Sequence, residues 1–141
     1  MPDILHRVGI AAPLTRVRGA LATVEGLRRW WVSTASGDAS PGGTIDFSFC
    51  RMKVLEAAGH RVRWRCVDGP PEWVGTSVTF DLSRGKGQTV VLFTHAGWKK
   101  PVEFMHHCST KWATFLLSLR DLLESGRGRP TPRDLKIHPG D

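Results

Sequence analysis

The sequence of 141 residues contains no tyrosine and only three cysteines. Without tyrosine, no phenol is present to serve as an acid or as a hydrogen-bond donor. Cys50, Cys66 and Cys108 lie far apart, and no pair has the CxxC spacing of a zinc or redox site. Each has hydrophobic neighbours, where a free cysteine usually acts as a small core residue. This usage is typical of a reducing compartment, so we expect a cytoplasmic protein.

Several sequence signals of function are also missing. No apolar run reaches the roughly 18–20 residues that a bilayer span needs, and residues 8–14 are too short for a signal peptide and contain Pro13. The chain has no phosphate loop, no nucleophile elbow and no HExxH pair. The run His106-His107-Cys108 does not predict a metal site, because adjacent helical side chains point about 100° apart. We therefore assign no catalytic residue, no metal and no cofactor, and favour a non-enzyme.

The basic residues are not concentrated in one segment of the sequence. The chain carries 20 Lys and Arg against 13 Asp and Glu, a net charge of +7. Proteins that follow a phosphate backbone usually collect their cations on one face or arm, whereas here the excess is spread along the sequence. We expect no specific nucleic-acid partner. The length predicts a single domain over 1–141.

Alternation of apolar and polar residues predicts a one-sided antiparallel sheet. In the clearest segment, Val62, Trp64 and Cys66 point to one face and three arginines to the other. The predicted strands cover residues 4–12, 44–50, 52–57, 61–67, 76–83 and 88–96. The loop-rich segment 33–43 separates the first strand and its helices from the rest.

Helical signals lie on either side of these strands. Pro13 suits the first position of a short helix, and Thr23 can cap a second one. Residues 102–125 predict one long amphipathic helix that Gly126 ends, and 126–141 predict an irregular tail. At 1.5 Å per residue, such a helix is about 36 Å long, enough to cross the sheet. This order of elements indicates an α+β fold.

Four stretches in this order resemble a known family. They are residues 26–31 (GLRRWW), 41–43 (PGG) followed by Phe47 and Phe49, 94–98 (THAGW), and the helix from 112 to 123 followed by 124–130 (ESGRGRP). The chain resembles the helix-grip, START-like superfamily, also called SRPBCC. Within it, the chain is most similar to the branch named after activators of the 90-kDa heat-shock protein's ATPase.

The resemblance implies a curved antiparallel sheet of about seven strands wrapped around the C-terminal helix, with two short helices after the first strand. It also implies an apolar cavity between sheet and helix. Many members hold a lipid, a polyketide or another hydrophobic molecule there, and a minority catalyse reactions. We therefore expect binding of a hydrophobic small molecule by a monomer or homodimer. The alternatives are a protein-interaction module that assists a chaperone ATPase and a cyclase-type enzyme. Fold alone does not decide among them.

Inward-facing positions supply the candidate lining of this cavity. His95 shares a strand face with apolar residues, where it serves either as a satisfied structural histidine or as a proton shuttle. Trp64 and Trp112 belong either to the core or to the cavity wall. The predicted lining residues are Phe47, Phe49, Trp64, Phe80, Phe93, His95, Met105 and Trp112.

Overall fold

A computed structural model describes residues 2–141 as a seven-stranded sheet and three helices. The strands are β1 (Ile4–Ile10), β2 (Ser36–Gly37), β3 (Thr44–Asp46), β4 (Arg51–Ala58), β5 (Arg61–Asp68), β6 (Ser77–Gly85) and β7 (Gln88–Ala96). The helices are α1 (Leu14–Leu21), α2 (Val24–Trp30) and α3 (Glu103–Ser125).

The sheet is antiparallel throughout and has the order β1-β7-β6-β5-β4-β3-β2. The predicted α+β helix-grip fold is thereby confirmed. One strand was not expected, since β2 lies inside the predicted loop 33–43. It has only two residues, and Gly37 pairs with Ile45 at a φ of 115°, with no room for a Cβ beside the Thr44 carbonyl oxygen. So short an edge strand has no alternating pattern to detect.

The prediction of a strand over 44–50 was too long. The strand ends at Asp46, whose carboxylate accepts a hydrogen bond of 2.8 Å from the backbone N–H of Ser48. Ser48 has a φ of 74°, and the Phe47 N–H donates back to the Cys50 carbonyl. Such an Asx turn competes with strand pairing. It separates two side chains that alternation placed together, because Phe47 is buried and Phe49 is exposed.

The helix boundaries follow local capping. The Thr23 hydroxyl accepts from the Gly26 N–H at 3.0 Å, which confirms the predicted cap of α2. Pro13 is the N-cap of α1 rather than its first helical residue. Helix α3 ends at Gly126, which has the left-handed φ of 84° that favours glycine.

Aromatic side chains fill the space between the sheet and α3. Trp64 and Phe80 meet edge to face with ring centroids 5.2 Å apart, and Phe80 meets Phe93 in the same way at 5.3 Å. Phe47 packs on Trp31 at 4.2 Å. Edge-to-face contacts of this kind contribute about 0.5–1.5 kcal/mol each beyond the burial of area. The part of the space between sheet and helix that these side chains occupy is therefore a packed core.

Residues 126–141 form no helix or strand, yet they lie against the body of the protein. The Thr131 N–H donates to the Trp31 carbonyl at 2.8 Å, and the Thr131 carbonyl accepts from Ser33. Asp134 is buried. We call residues 131–141 the C-terminal segment. Within residues 2–141, no helix is both long and apolar enough to span a membrane.

Candidate ligand-binding cavity

A cavity of about 310 Å³ lies where α3, two loops and the C-terminal segment meet. The β3–β4 loop contributes Phe49, and the β5–β6 loop contributes Pro70 and Trp73. Its lining comprises Trp31, Phe49, Pro70, Trp73, Phe104, His107, Cys108, Lys111, Trp112, Phe115, Thr131, Pro132, Asp134, Lys136 and Asp141. Six of these fifteen residues carry aromatic rings of Trp or Phe, and with Pro70, Pro132 and Cys108 nine of the fifteen are apolar.

One face of α3 forms the longest wall of the cavity. Each of its lining side chains has another three or four residues away, which places them along one face of the helix. This row consists of Phe104, His107, Cys108, Lys111, Trp112 and Phe115. Lys111 is the one cation in this row, and its Nζ lies 5.4 Å from the centroid of the Phe115 ring.

Four charges form an ion-pair cluster at the side of the cavity that the C-terminal segment covers. Lys111 donates hydrogen bonds to Asp134, to Asp141 at 3.1 Å and to the Leu135 carbonyl at 3.0 Å. Lys136 donates to the second oxygen of Asp134 at 3.0 Å. The charges of the four side chains in this cluster, Lys111, Lys136, Asp134 and Asp141, therefore balance.

Hydrogen bonds affect the pKa values of these groups more strongly than burial does. Burial opposes the charged form of Lys111, but its bonds to Asp134 and Asp141 are stronger and raise its pKa. Burial likewise opposes ionisation of Asp134, and Lys111 and Lys136 overcome it and lower its pKa. The Ile137 N–H, followed by Lys111, lowers the pKa of Asp141. All of these groups are charged near neutral pH.

His95 lies behind the cavity wall in a continuous hydrogen-bond chain. The Trp112 indole N–H donates to Nδ1 at 3.2 Å, so Nδ1 carries no proton. Nε2 is therefore the protonated nitrogen, and it donates to the Thr76 hydroxyl at 2.8 Å. That hydroxyl donates to the Trp73 carbonyl at 2.6 Å. Burial lowers the pKa of His95 to about 3. The arrangement is that of a neutral structural histidine.

The cysteine in the cavity wall is unreactive. Cys108 is buried and accepts the indole N–H of Trp73 at 3.4 Å. Burial raises its thiol pKa to about 11, so little of the nucleophilic thiolate is present near neutral pH.

The structure distributes the predicted lining residues over two regions. Phe49 and Trp112 line the cavity. Met105 is partly buried and packs against the core, and His95 is enclosed behind Trp112. The other four belong to the packed core rather than to the cavity wall: Phe47, Trp64, Phe80 and Phe93. Alternation identified their inward direction, but it carries no information on how tightly opposing side chains close on one another.

Sequence reasoning missed the contribution of the C-terminal segment and of much of α3. Phe104, His107 and Lys111 continue the helical row that Cys108 and Trp112 already defined, so the spacing held a usable signal. The C-terminal segment had no such signal, because its position depends on ion pairs between distant residues.

The model of the family described as "Activator of Hsp90 ATPase homolog 1-like protein" matches residues 11–124. The chain belongs to this family, within the helix-grip superfamily that its sequence resembled. No curated protein matches the chain.

Solved structures agree with this assignment. The Aha1 dimer from Colwellia psychrerythraea is 42% identical, with a TM-score of 0.83 over 91% of this chain and all of that one. CalU16 from Micromonospora echinospora is 20% identical, with a TM-score of 0.80 over 97% of this chain and 75% of that one. DynU16, from the dynemicin biosynthetic locus, is 20% identical, with a TM-score of 0.74 over 89% of this chain and 48% of that one. The last two are similar to this chain in fold alone.

Proposed function

We propose that the protein binds a hydrophobic, ring-containing small molecule in the cavity beside α3. The observation that supports this most directly is the set of six aromatic rings around about 310 Å³. That volume is at the lower end of the roughly 300–1,000 Å³ of small-molecule sites. Rigid aromatic walls suit a compact ring system better than a long flexible chain. The three free thiols support a reducing, cytoplasmic setting.

Affinity would come mainly from burying the ligand's apolar surface. Each 100 Å² removed from water contributes roughly 2.5 kcal/mol before the cost of association. Phe104 is a suitable residue to test, because it is only partly buried and lines the cavity near the start of α3. Its truncation should remove ligand contacts without opening the core.

The experiment has two stages. Native mass spectrometry of freshly purified protein, followed by organic extraction, looks for a bound molecule. Naphthamide, a neutral two-ring compound, is then titrated and followed by tryptophan fluorescence. Phe104→Ala should weaken binding about fivefold or more. Leu117→Ala, at an exposed site on α3 outside the cavity lining, should leave it unchanged. If naphthamide fails to bind, or binds both variants equally well, the proposal is wrong.

A cyclase-type reaction that uses His95 has less support. Both ring nitrogens are occupied by protein partners, and the side chain is fully buried. A general acid or base needs to come within hydrogen-bond reach of its substrate.

Self-association is a second candidate property, with a different observation behind it. We infer a contact between two copies at the β1 edge of the sheet. Leu5 on β1 pairs with Thr94 in register, and Leu92 lies two residues from Thr94 on the same face. The two leucines are 69% and 49% exposed, and β1 is an edge strand that can pair with another copy. The 42% identical relative is a dimer.

Light scattering coupled to size exclusion tests this contact. A dimer that Leu5→Glu converts to a monomer supports it, with Leu117→Glu on exposed α3 surface as the control. A wild-type monomer at high protein concentration contradicts it. Stimulation of a heat-shock ATPase by the monomeric variant would instead indicate the chaperone-assisting function.

A further inference from the structure

The ion-pair cluster lies directly against the aromatic part of the cavity. Lys111 is where the two meet, since its Nζ bonds Asp134 and Asp141 and also lies 5.4 Å from the centroid of the Phe115 ring. Its side chain is only 15% exposed. A cation held at the side of an aromatic cavity can pair with an anionic group of a ligand.

The two carboxylates on Lys111 are held very differently. Asp134 is buried and bonds two lysines, so it belongs to the permanent structure. Asp141 bonds Lys111 and the Ile137 N–H through a side chain that is only 14% exposed, while residues 138–140 beside it are exposed. Moving this carboxylate into solvent breaks two hydrogen bonds, one from Lys111 and one from the Ile137 N–H. Asp141 also lines the cavity, so its removal would enlarge the site.

We propose that the cavity takes an aromatic monocarboxylate, and that the Asp141 carboxylate occupies the place of the ligand's own carboxylate on Lys111. This inference rests on the proposed binding function and specifies its ligand class. The ligand carboxylate accepts the Lys111 hydrogen bond while its rings lie against Phe115 and Trp112. Asp141 moves into solvent.

Charge balance favours a single negative charge on the ligand. Lys111 and Lys136 are balanced by Asp134 and Asp141 in the closed cluster. Exchange of Asp141 for one carboxylate keeps this balance, whereas a dianionic phosphate would leave an unpaired negative charge. A buried unpaired charge is costly. Two further titratable groups lie at this part of the molecule: His107, which lines the cavity, and His138, whose ring centroid is 5.5 Å from that of His107.

The test compares naphthoate with naphthamide, which have the same rings but differ in charge. Asp141→Asn removes the competing carboxylate, so it should tighten naphthoate binding about tenfold, or roughly 1.4 kcal/mol. Naphthamide binding should change less than twofold. Asp121→Asn changes the net charge equally at an exposed site on α3, away from the cavity lining, and should alter neither affinity.

The possible outcomes distinguish failure of this inference from failure of the proposed binding function. If naphthamide binds but Asp141→Asn leaves the ratio of the two affinities unchanged, the carboxylate inference is wrong and the cavity still binds ligands. Equal tightening of naphthoate by Asp121→Asn would mean that only overall charge matters, which also overturns the inference. If naphthamide does not bind the wild-type protein, the proposed function fails, and this inference fails with it. Lys111→Met should cancel the preference for naphthoate in a variant whose circular dichroism is unchanged.

Discussion

The indole N–H of Trp112 donates to Nδ1 of His95 at 3.2 Å, in the interior of the protein. The contact defines the tautomer of His95, because an acceptor nitrogen cannot carry the proton. It also connects helix α3 to strand β7, next to the β1 edge of the sheet. His95 thereby acts as a neutral connector between elements far apart in sequence.

The ionisation of His95 predicts a stability loss in acid. Its pKa is about 3 in the fold, below the ordinary value of 6.5. Between these values the unfolded chain binds the proton and the folded chain does not. The contribution of His95 to the free energy of unfolding is therefore fully present above pH 6.5. It declines as the pH falls toward 3, by up to about 1.4 kcal/mol per pH unit. Denaturant unfolding from pH 7.5 down to pH 4 measures it.

Carboxylates also titrate in this range, so the comparison uses His95→Gln, which lacks the titrating ring. The difference in unfolding free energy between wild type and His95→Gln should shrink as the pH falls. A difference that stays constant down to pH 4.5 would contradict the buried, neutral state of His95.

The Thr76 hydroxyl should matter far more than a similar hydroxyl nearby. Thr76→Val keeps the shape but leaves the His95 Nε2–H and the Trp73 carbonyl without this partner. We expect a loss of about 1–3 kcal/mol in the free energy of unfolding. Thr79→Val, at a half-buried position on β6, should change it by less than about 0.5 kcal/mol. If Thr76→Val and Thr79→Val changed the free energy of urea unfolding equally, the hydrogen-bond chain through Thr76 would be refuted.

Substitution of Phe47 should mainly reduce stability, and substitution of Phe49 should mainly reduce ligand binding, although the two residues lie only two positions apart. Phe47→Ala opens the core and should cost about 3–5 kcal/mol of stability. Phe49 is 46% exposed and lines the cavity, so Phe49→Ala should cost much less but weaken naphthamide binding several-fold. Phe47→Leu should fold and keep the wild-type affinity. Weaker binding by Phe47→Leu than by Phe49→Ala would place the ligand in the core instead.

Two helical glycines provide a matched pair. An added Cβ on Gly26 would lie 2.6 Å from the Ala20 Cα, where α2 crosses α1, so Gly26→Ala must push the helices apart. We expect a loss of at least about 2 kcal/mol. Nothing lies within 4 Å of a Cβ on Gly19, and Gly19→Ala should stabilise α1 by about 0.5–1 kcal/mol. Thermal unfolding distinguishes them, and similar shifts in Tm would be inconsistent with the close α1–α2 contact.

The sequence was more informative about the fold than about the site. Alternation and helical spacing located six of the seven strands and all three helices, since one-sided burial leaves a period in the sequence. The Asx turn at Asp46 broke that period locally and divided Phe47 from Phe49. The cavity depended on gaps left after packing and on the Lys111 contacts with residues 134–141. Neither kind of information has a sequence period.

Six tryptophans give the most direct test of the ligand site. In a nitrogen-15 NMR spectrum, each indole N–H reports on its own surroundings. Saturating naphthamide should shift the signals of Trp31, Trp73 and Trp112, which line the cavity, and leave those of Trp30, Trp64 and Trp98 nearly unchanged. Shifts confined to the second group, or none at saturation, would contradict the proposed site.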